Sequence, residues 1–279
     1  MRELKGMVYE AEISRRNPGL FIFLLDQSRS MSRKIAGGQR SKAQEASDAI
    51  NRQMNEVISR CTKSDGIRPY FDIGVIGYGF KSGEAKGLIG DYPVSITELE
   101  SHVLKMESHT EEIDGETIET QFPVWFEPVA SYDTPMVKAL TIAKEWTEKW
   151  IGEHKDSFPP VIINISDGGA TDGNPLNVAE ELINMETSDG KVLLWNCHLS
   201  EKNEQPISFP KDETEIPEDK NAKTMFSITS TVPEPMVAIA REEFSNVDSG
   251  SKAYVFNANL EELIKLLDIG TRVVYNKVE

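Results

Sequence analysis

Residues 21–31, FIFLLDQSRSM, decide the fold class. Five apolar residues run directly into the carboxylate of Asp26, and the hydroxyls of Ser28 and Ser30 follow two and four positions later. An unbroken apolar run of this length is typical of a strand buried on both faces of a parallel sheet. The three polar side chains then follow the carboxyl end of the strand, where open α/β sheets bind their ligands.

These polar residues allow two interpretations. A carboxylate and two hydroxyls are hard oxygen ligands, which suit Mg²⁺, Mn²⁺ or Ca²⁺ rather than zinc. They also suit an ordinary strand end at which Asp or Ser caps the following helix. The stretch alone leaves both interpretations open, so the rest of the chain has to decide between them.

Composition narrows the class of protein. The chain has 279 residues, 39% of them hydrophobic, and a net charge of −16. This length allows one large α/β domain, and we expect a single domain with a core at about 17–270. The negative charge disfavours nucleic acid as a partner, because a phosphate backbone is bound through clustered Lys and Arg.

Three features predict a cytoplasmic protein without membrane insertion. The N-terminal stretch MRELKGMVYEAE carries charges throughout and has no apolar signal core. The longest apolar run is far shorter than the ~20 residues of a membrane span. Cys61 and Cys197 belong to no C-x-x-C motif and no Cys/His cluster, which favours buried free thiols in a reducing compartment.

Apolar runs alternate with helical stripes along the chain. This alternation predicts a doubly wound α/β fold, with a mostly parallel sheet, helices on both faces and a short antiparallel edge strand at 7–13 or within 81–90. Predicted strands occupy 21–25, 70–78, 161–166, 191–199 and 224–228. Predicted helices occupy 39–61, 97–106, 135–151, 174–185, 235–244 and 257–267, and the tail from 272 is expected to be loose.

Residues 107–133 differ from the rest of the chain. They contain eight acidic residues and no Lys or Arg, which is typical of a solvated loop. They also contain the aromatic residues Phe122, Trp125 and Phe126, so part of the segment is expected to pack or to meet a partner. A packed insertion with a solvated acidic edge is the favoured interpretation, and an additional partner-facing surface is the alternative.

Two predicted buried strands end in a carboxylate. Asp26 and Asp167 are therefore expected at the same rim of the sheet, and Thr134 precedes a helix whose N-terminus points at that rim. Together with Ser28 and Ser30 they form a candidate metal site of two carboxylates and three hydroxyls. Two carboxylates balance a divalent charge, and Mg²⁺ is the expected cation, with Mn²⁺ or Ca²⁺ as alternatives.

These motifs, in this order, resemble the von Willebrand factor A domain. The resemblance covers roughly residues 17–270, and the motifs are most similar to those of the intracellular bacterial members of the family. It rests on the following motifs: Asp26-x-Ser28-x-Ser30, Thr134-Pro135-Met136-x-x-Ala139-Leu140, Ile165-Ser166-Asp167-Gly168 with Thr171-Asp172, and the ending LLDIGT at 266–271. Any one motif is weak, whereas the ordered set is specific.

The resemblance implies a divalent-cation-dependent protein-binding module rather than an enzyme. At the metal-ion-dependent adhesion site of this family, Ser28 and Ser30 would contact the metal directly. Asp26 and Asp167 would bind it directly or through water, and Thr134 would change between the two modes. An Asp or Glu of a partner protein would occupy the open metal position.

Arg29 departs from the family pattern, in which many members have Gly between the two serines. The candidate ligands on either side of it are intact. Its long cationic side chain either meets an acidic partner, crowds the site or points into solvent, and the sequence does not decide among these.

Two other functions are alternatives. An Mg²⁺-dependent phosphoryl-transfer or hydrolase enzyme would use Asp26, although a haloacid-dehalogenase-like enzyme has an aspartate where this chain has Ser28. A scaffold with a vestigial site would not need all five candidate ligands. The histidines lie away from the motifs in sequence and are interpreted as surface or hydrogen-bonded side chains rather than bases: His102, His109, His154 and His198.

Overall fold

The computed structural model describes residues 9–80, 83–113, 116–202 and 204–275. Its strands are β1 Gly19–Asp26, β2 Thr62–Lys63, β3 Gly66–Ile67, β4 Phe71–Phe80, β5 Glu84–Gly87, β6 Val94–Ser95, β7 Lys105–Ile113, β8 Glu116–Val124, β9 Val161–Ser166, β10 Leu193–Leu199, β11 Ile207–Ser208 and β12 Tyr254–Ala258. Its α-helices are α1 Lys42–Cys61, α2 Met136–Glu153, α3 Leu176–Ile183, α4 Lys220–Ser227, α5 Glu234–Glu243 and α6 Leu260–Tyr275. Short 3₁₀ helices lie at Arg29–Ser32, Leu99–His102 and Glu213–Glu215.

In the described part of the chain, eight strands form one sheet in the order β11-β12-β10-β9-β1-β4-β5, with β6 also paired to β4. The strands from β12 to β4 in this order pair in parallel. Antiparallel strands flank them, with β5 and β6 beside β4 and β11 beside β12. The predicted fold class, a mostly parallel sheet with helices on both faces and an antiparallel edge, is therefore confirmed.

The two faces of β1 divide the core into two layers. All eight residues of β1 are buried, which explains its unbroken apolar sequence. Odd-numbered residues from Phe21 to Leu25 share one core cluster with α1, α5 and α6. Even-numbered residues from Leu20 to Leu24 share the other cluster with α2, α3 and α4. The sheet thus has helices on both faces, and both helix layers reach the carboxyl end of β1.

The first helix is fixed by a capping box. Ser41 Oγ accepts a 3.2 Å hydrogen bond from Gln44 N, and Gln44 Oε1 accepts a 3.0 Å bond from Ser41 N. The helix therefore begins at Lys42 rather than at the predicted residue 39. Its buried positions from Ala43 to Cys61 repeat at spacings of three and four, as the predicted apolar stripe requires.

One predicted strand near the C-terminus is wrong, and one strand there was missed. Residues 224–227 lie in α4 rather than in a strand, because an apolar run as short as TMFSI does not distinguish a strand from a buried helix. Asp219 caps this helix by accepting a 2.8 Å hydrogen bond from Ala222 N. The fifth parallel strand is instead β12, whose end the prediction assigned to the last helix.

The last helix starts later and ends later than predicted. Asn257 lies in β12 with a positive φ of 59°, and α6 follows Asn259, whose Oδ1 accepts a 2.7 Å hydrogen bond from Glu261 N. The helix extends to Tyr275, so the expected loose tail is wrong for 272–275, while 276–279 lie outside the described residues. None of the described helices is both long and apolar enough to cross a membrane.

Two further local predictions need correction. The predicted helix at 97–106 is a 3₁₀ turn at Leu99–His102 followed by β7. The antiparallel edge strand beside β4 is β5, which falls within the predicted 81–90 region, although 81 and 82 lie outside the described residues. The alternative edge strand was predicted at 7–13. Residues 7 and 8 lie outside the described residues, and within 9–13 Ile13 is a single β-bridge residue.

The acidic segment 107–133 is not a loop along its whole length. Its first part belongs to an antiparallel hairpin of β7 and β8, with Lys105 opposite Val124. Asn51 of α1 anchors the hairpin base, because its Oδ1 accepts from Trp125 N at 2.9 Å and its Nδ2 donates to Phe126 O at 3.1 Å. Trp125 and Phe126 are both buried, so a packed insertion is confirmed at this end and these two aromatics do not face a partner.

Candidate metal centre

The parallel pairing of β1 and β9 places the first two candidate residues at one rim. Leu25 lies opposite Ile165 in this pair, so the next residues, Asp26 and Ser166, are neighbours. Ser166 Oγ donates a 2.6 Å hydrogen bond to Asp26 Oδ2. The other oxygen, Asp26 Oδ1, accepts a 2.8 Å bond from Ser28 N. The carboxylate of Asp26 is fully buried and held from two sides.

A continuous chain of polar contacts connects the two strand ends. Ser28 Oγ lies 3.0 Å from Ser30 Oγ, and Ser30 Oγ donates a 2.7 Å hydrogen bond to Asp167 Oδ1. Four of the five predicted ligands, Asp26, Ser28, Ser30 and Asp167, are therefore brought together at the carboxyl ends of β1 and β9.

Thr134 is positioned by a different set of contacts. Its backbone N donates a 2.9 Å hydrogen bond to Thr171 Oγ1, and its carbonyl accepts a 2.9 Å bond from Thr171 N. The preceding loop lies beside the first motif, because Tyr132 O accepts a 3.1 Å bond from Arg29 N. Asp172 then accepts hydrogen bonds from the first turn of α2, at Val137 N and Lys138 N. Thr134 is buried at the start of α2, but it makes no hydrogen bond to the other four candidates among the contacts of the described residues.

Lys42 is a member of the site that the sequence analysis missed. Its Nζ lies 2.5 Å from Asp167 Oδ2, and the two side chains are 4% and 1% exposed. The helical spacing indicates that Lys42 lies on the buried face of α1, because it precedes the buried residues Ala46 and Ala49 by four and seven positions. A cation on the buried face of a helix implies a buried anion opposite it.

His198 is the second residue that was missed. It lies opposite Ser166 in the β9–β10 pair, which places it at the same rim, and its ring stacks on Phe256 at 4.7 Å. Its Nδ1 accepts a 3.3 Å hydrogen bond from Asn257 N. Burial lowers the pKa of His198 to about 4, against the opposing effect of the Asp167 carboxylate. The interpretation as a hydrogen-bonded histidine fits these contacts, but its distance from the motifs in sequence was misleading.

The described residues of the site combine two buried carboxylates with the buried ammonium of Lys42. Burial and, second, the Asp167 carboxylate raise the pKa of Asp26 to about 6, although hydrogen bonds from Ser166 and Ser28 oppose this shift. Lys42 faces only one of the two carboxylates in this structure. Lys42 Nζ lies 2.5 Å from Asp167 Oδ2, and Ser30 Oγ donates to the other oxygen, Oδ1, so both oxygens of Asp167 have a partner.

The loop after β1 needs a close approach from β4. Gly79 has a φ of +138°, and a Cβ at this position would overlap the backbone of Gln27 and Ser28. Glycine at 79 therefore lets the end of β4 support the loop that carries Ser28. The side chain of Arg29 in this loop is exposed, as the solvent-pointing interpretation predicts.

These donors fit a small, hard cation. Adjacent ligands of an octahedron with bonds of about 2.1 Å lie about 3 Å apart, and this matches the 3.0 Å between the hydroxyl oxygens of Ser28 and Ser30. Among the described residues no three His, Cys, Asp or Glu side chains cluster as a metal site, so any cation here would rely on the hydroxyls.

Comparison with known proteins defines the class of fold. A solved structure shares this doubly wound α/β fold, and in this chain the Asp26 motif lies at the carboxyl rim of the sheet. The pilus adhesin SpaC from Lactobacillus rhamnosus GG aligns with 95% of this chain at 11% identity and a TM-score of 0.52. The vWF domain of the type V pili tip protein Mfa5 from Porphyromonas gingivalis aligns with 56% of it at 16% identity and a TM-score of 0.34.

The alignments span only part of those proteins. This chain covers 32% of the SpaC chain and 39% of the Mfa5 chain. No protein-family model matches the sequence, and no curated protein matches it.

The predicted cytoplasmic location is wrong by the same comparison. The structure that aligns with 95% of this chain, SpaC, is described as a pilus adhesin rather than as a cytoplasmic protein. One of the three sequence features behind that prediction, the pair of isolated cysteines, does not identify a compartment. Both are buried and free, and burial alone protects such thiols whatever the compartment.

Proposed function

We propose that this protein binds a divalent cation, Mg²⁺ in the first instance, and through it a carboxylate of a partner protein. The ligands would be Asp26, Ser28, Ser30, Thr134 and Asp167. The observation that carries the proposal is the continuous chain of contacts from Asp26 through the two serines to Asp167 at one rim of the sheet. When bound, the cation would act as a Lewis acid that accepts an oxygen ligand from the partner.

Oxygen chemistry supports this choice of cation. Two carboxylates and three hydroxyls supply no sulfur or nitrogen ligand, so Mg²⁺, Mn²⁺ or Ca²⁺ is favoured over zinc. Mg²⁺ keeps one or more exchangeable positions when a protein site is not a complete cage. An Asp or Glu side chain of a partner would occupy such a position and complete the charge balance.

Binding rather than catalysis is also supported by the matched structures. Two of them are described as a pilus adhesin and a pili tip protein, and adhesion depends on binding a partner. The net charge of −16 disfavours a broadly acidic partner, so a local carboxylate on a neutral or basic surface fits better. A cleft of about 230 Å³ beside Asp167, lined by Ser30 and His198 among others, gives an acidic side chain room to approach.

Calorimetry with Mg²⁺ and Mn²⁺ tests the metal directly. We expect wild type to show saturable binding and a raised unfolding temperature with either ion, and Asp26→Ala to show neither. Asp91→Ala, at an exposed aspartate outside the site, is the matched control and should bind like wild type. Absence of any metal-dependent heat or stabilisation in wild type would refute the proposal.

A second experiment separates binding from catalysis. Immobilised wild type and Asp167→Asn are compared for retention of a carboxylate-bearing protein ligand in Mg²⁺ and in EDTA. Retention that needs both Mg²⁺ and Asp167 supports a binding module. Turnover of a phosphate ester that depends on Asp26 would instead favour the hydrolase alternative.

A further inference from the structure

A lysine already occupies part of the proposed metal centre. Lys42 is the first residue of α1, and its side chain is 4% exposed with its Nζ 2.5 Å from Asp167 Oδ2. Ser30 holds the other oxygen of that carboxylate at 2.7 Å. Both oxygens of Asp167 therefore have a partner before any divalent cation arrives, and one of these partners carries a full positive charge.

We infer that Lys42 is a built-in counter-ion that competes with the divalent cation for Asp167 and thereby sets the affinity of the site. This inference rests on the proposed metal function. It assigns a role to a residue outside the five predicted ligands. The ammonium neutralises Asp167 in the metal-free protein, and it moves away from Oδ2 when the cation binds.

The charges of the site give the direction of the effect. Without Lys42, the negative charge of Asp167 would act on the buried Asp26 carboxylate with no ammonium paired to it. Removing one partner of a buried ion pair leaves an uncompensated buried charge, which is strongly destabilising. A divalent cation would relieve this cost, so removing the lysine should weaken the metal-free fold and strengthen metal binding at the same time.

A purely structural lysine predicts the opposite result. If Lys42 only orients Asp167, its removal lets the carboxylate move and metal affinity falls, as it does for other groups that position a ligand. The stability lost would then be the same with and without metal. The two roles are therefore distinguished by the sign of the affinity change and by its coupling to stability.

The experiment compares Lys42→Met and Lys42→Gln with wild type. Both remove the charge, and glutamine retains a hydrogen-bond donor in case the methionine variant does not fold. Arg33→Met is the matched control, because Arg33 lines the same cleft but is 62% exposed and pairs with Glu201 at 2.9 Å. Mn²⁺ affinity is measured by calorimetry, and the unfolding temperature is measured in EDTA and in saturating Mg²⁺.

We expect the Lys42 variants to bind Mn²⁺ about tenfold more tightly than wild type, from the loss of one repelling charge at short range. Their unfolding temperature should fall in EDTA and recover in Mg²⁺, while Arg33→Met stays close to wild type in both. Unchanged or weaker affinity, or an equal loss of stability in both conditions, overturns the counter-ion role and leaves the metal proposal standing. No binding by wild type or by either Lys42 variant overturns the metal proposal itself.

A wild-type measurement covers the case in which neither variant folds. A structure determined with Mn²⁺ bound should show Lys42 Nζ farther from Asp167 Oδ2 than the present 2.5 Å. An unchanged contact with the metal in place would overturn the inference.

Discussion

Ser166 Oγ donates a 2.6 Å hydrogen bond to Asp26 Oδ2, and this bond joins the ends of two parallel strands, β9 and β1. It leaves the Asp26 carboxylate with one oxygen held by a hydroxyl and the other by the backbone of Ser28. Groups that hold a metal ligand in this way fix its orientation and its charge. Ser166 therefore determines where the Asp26 carboxylate points.

Ser166→Ala should weaken the proposed metal site without removing a ligand. We expect Mn²⁺ affinity to fall about tenfold, as it does when a group holding a ligand is lost. The free energy of unfolding should fall by about 1–2 kcal/mol, because Asp26 Oδ2 loses its hydrogen bond in a buried position. Calorimetry and urea unfolding measure the two effects.

Ser157→Ala is the control for Ser166→Ala. Ser157 is also fully buried, but it precedes the opposite end of β9. It should leave Mn²⁺ affinity unchanged. An equal loss of affinity in both variants would mean that buried serines near β9 act only through general stability.

Thr171→Val tests how Thr134 is positioned. Valine has nearly the same shape but removes the hydroxyl that accepts from Thr134 N at 2.9 Å. We expect the free energy of unfolding to fall by about 1 kcal/mol, and Mn²⁺ affinity to fall as the start of α2 loosens.

Thr141→Val in α2 is the matched control, because the Thr141 hydroxyl donates to Val137 O, one turn away in that helix, and to no candidate ligand among the described contacts. This control should bind Mn²⁺ like wild type. If Thr171→Val bound Mn²⁺ as tightly as wild type does, the hydrogen bond from Thr134 N to Thr171 Oγ1 would not be needed to position Thr134.

Much of this fold follows from the sequence because its strands are buried on both faces. The runs that became β1, β4, β9 and β10 are long and apolar, and the stripe of α1 repeats at helical spacing. Short elements were harder to predict. The apolar run at 224–228 is compatible with a strand or with a buried helix. Asp219 caps a helix here by accepting a hydrogen bond from Ala222 N, and residue propensities alone do not reveal this contact.

Part of the site follows from the sequence for the same reason. Residues that end neighbouring parallel strands share a rim of the sheet, and the β1–β9 register places Asp26 and Asp167 at one rim as predicted. Lys42 and His198 come from α1 and β10 and carry no motif. Their places depend on which strand lies beside which, and that order is a property of the whole topology.

Asn164→Leu should disrupt a buried polar network beneath the rim. Asn164 Oδ1 accepts from Tyr78 Oη at 2.7 Å, and Asn164 Nδ2 donates to Asn196 Oδ1 at 2.9 Å. Leucine fills a similar volume but forms no hydrogen bond with Tyr78 Oη or Asn196 Oδ1. We therefore expect the free energy of unfolding, measured in urea, to fall by about 2 kcal/mol or more.

The double variant Tyr78→Phe, Asn164→Leu tests whether the loss comes from this network. It removes the tyrosine hydroxyl together with its acceptor, so its total loss should be smaller than the sum of the two single losses. Strict additivity would show that the two side chains stabilise the core independently.

Asp72→Asn should change the pH dependence of stability away from the metal site. Asp72 Oδ2 accepts a 2.7 Å hydrogen bond from Trp150 Nε1, yet burial raises the pKa of Asp72 above its ordinary value of 3.8. The folded protein therefore holds this proton more tightly than the unfolded chain does. Its contribution to stability is present at acid pH and is lost as the pH rises from about 4 through the raised pKa.

Asparagine keeps an acceptor for Trp150 but carries no charge at any pH. Asp72→Asn should therefore gain stability relative to wild type as the pH rises from about 4 to neutral, measured by urea unfolding across that range. Asp91→Asn, at an exposed position, is the control and should track wild type throughout. A gain in the Asp72 variant that does not depend on pH would show that burial of the charge is not the cause, because only the ionised form of wild type carries that cost.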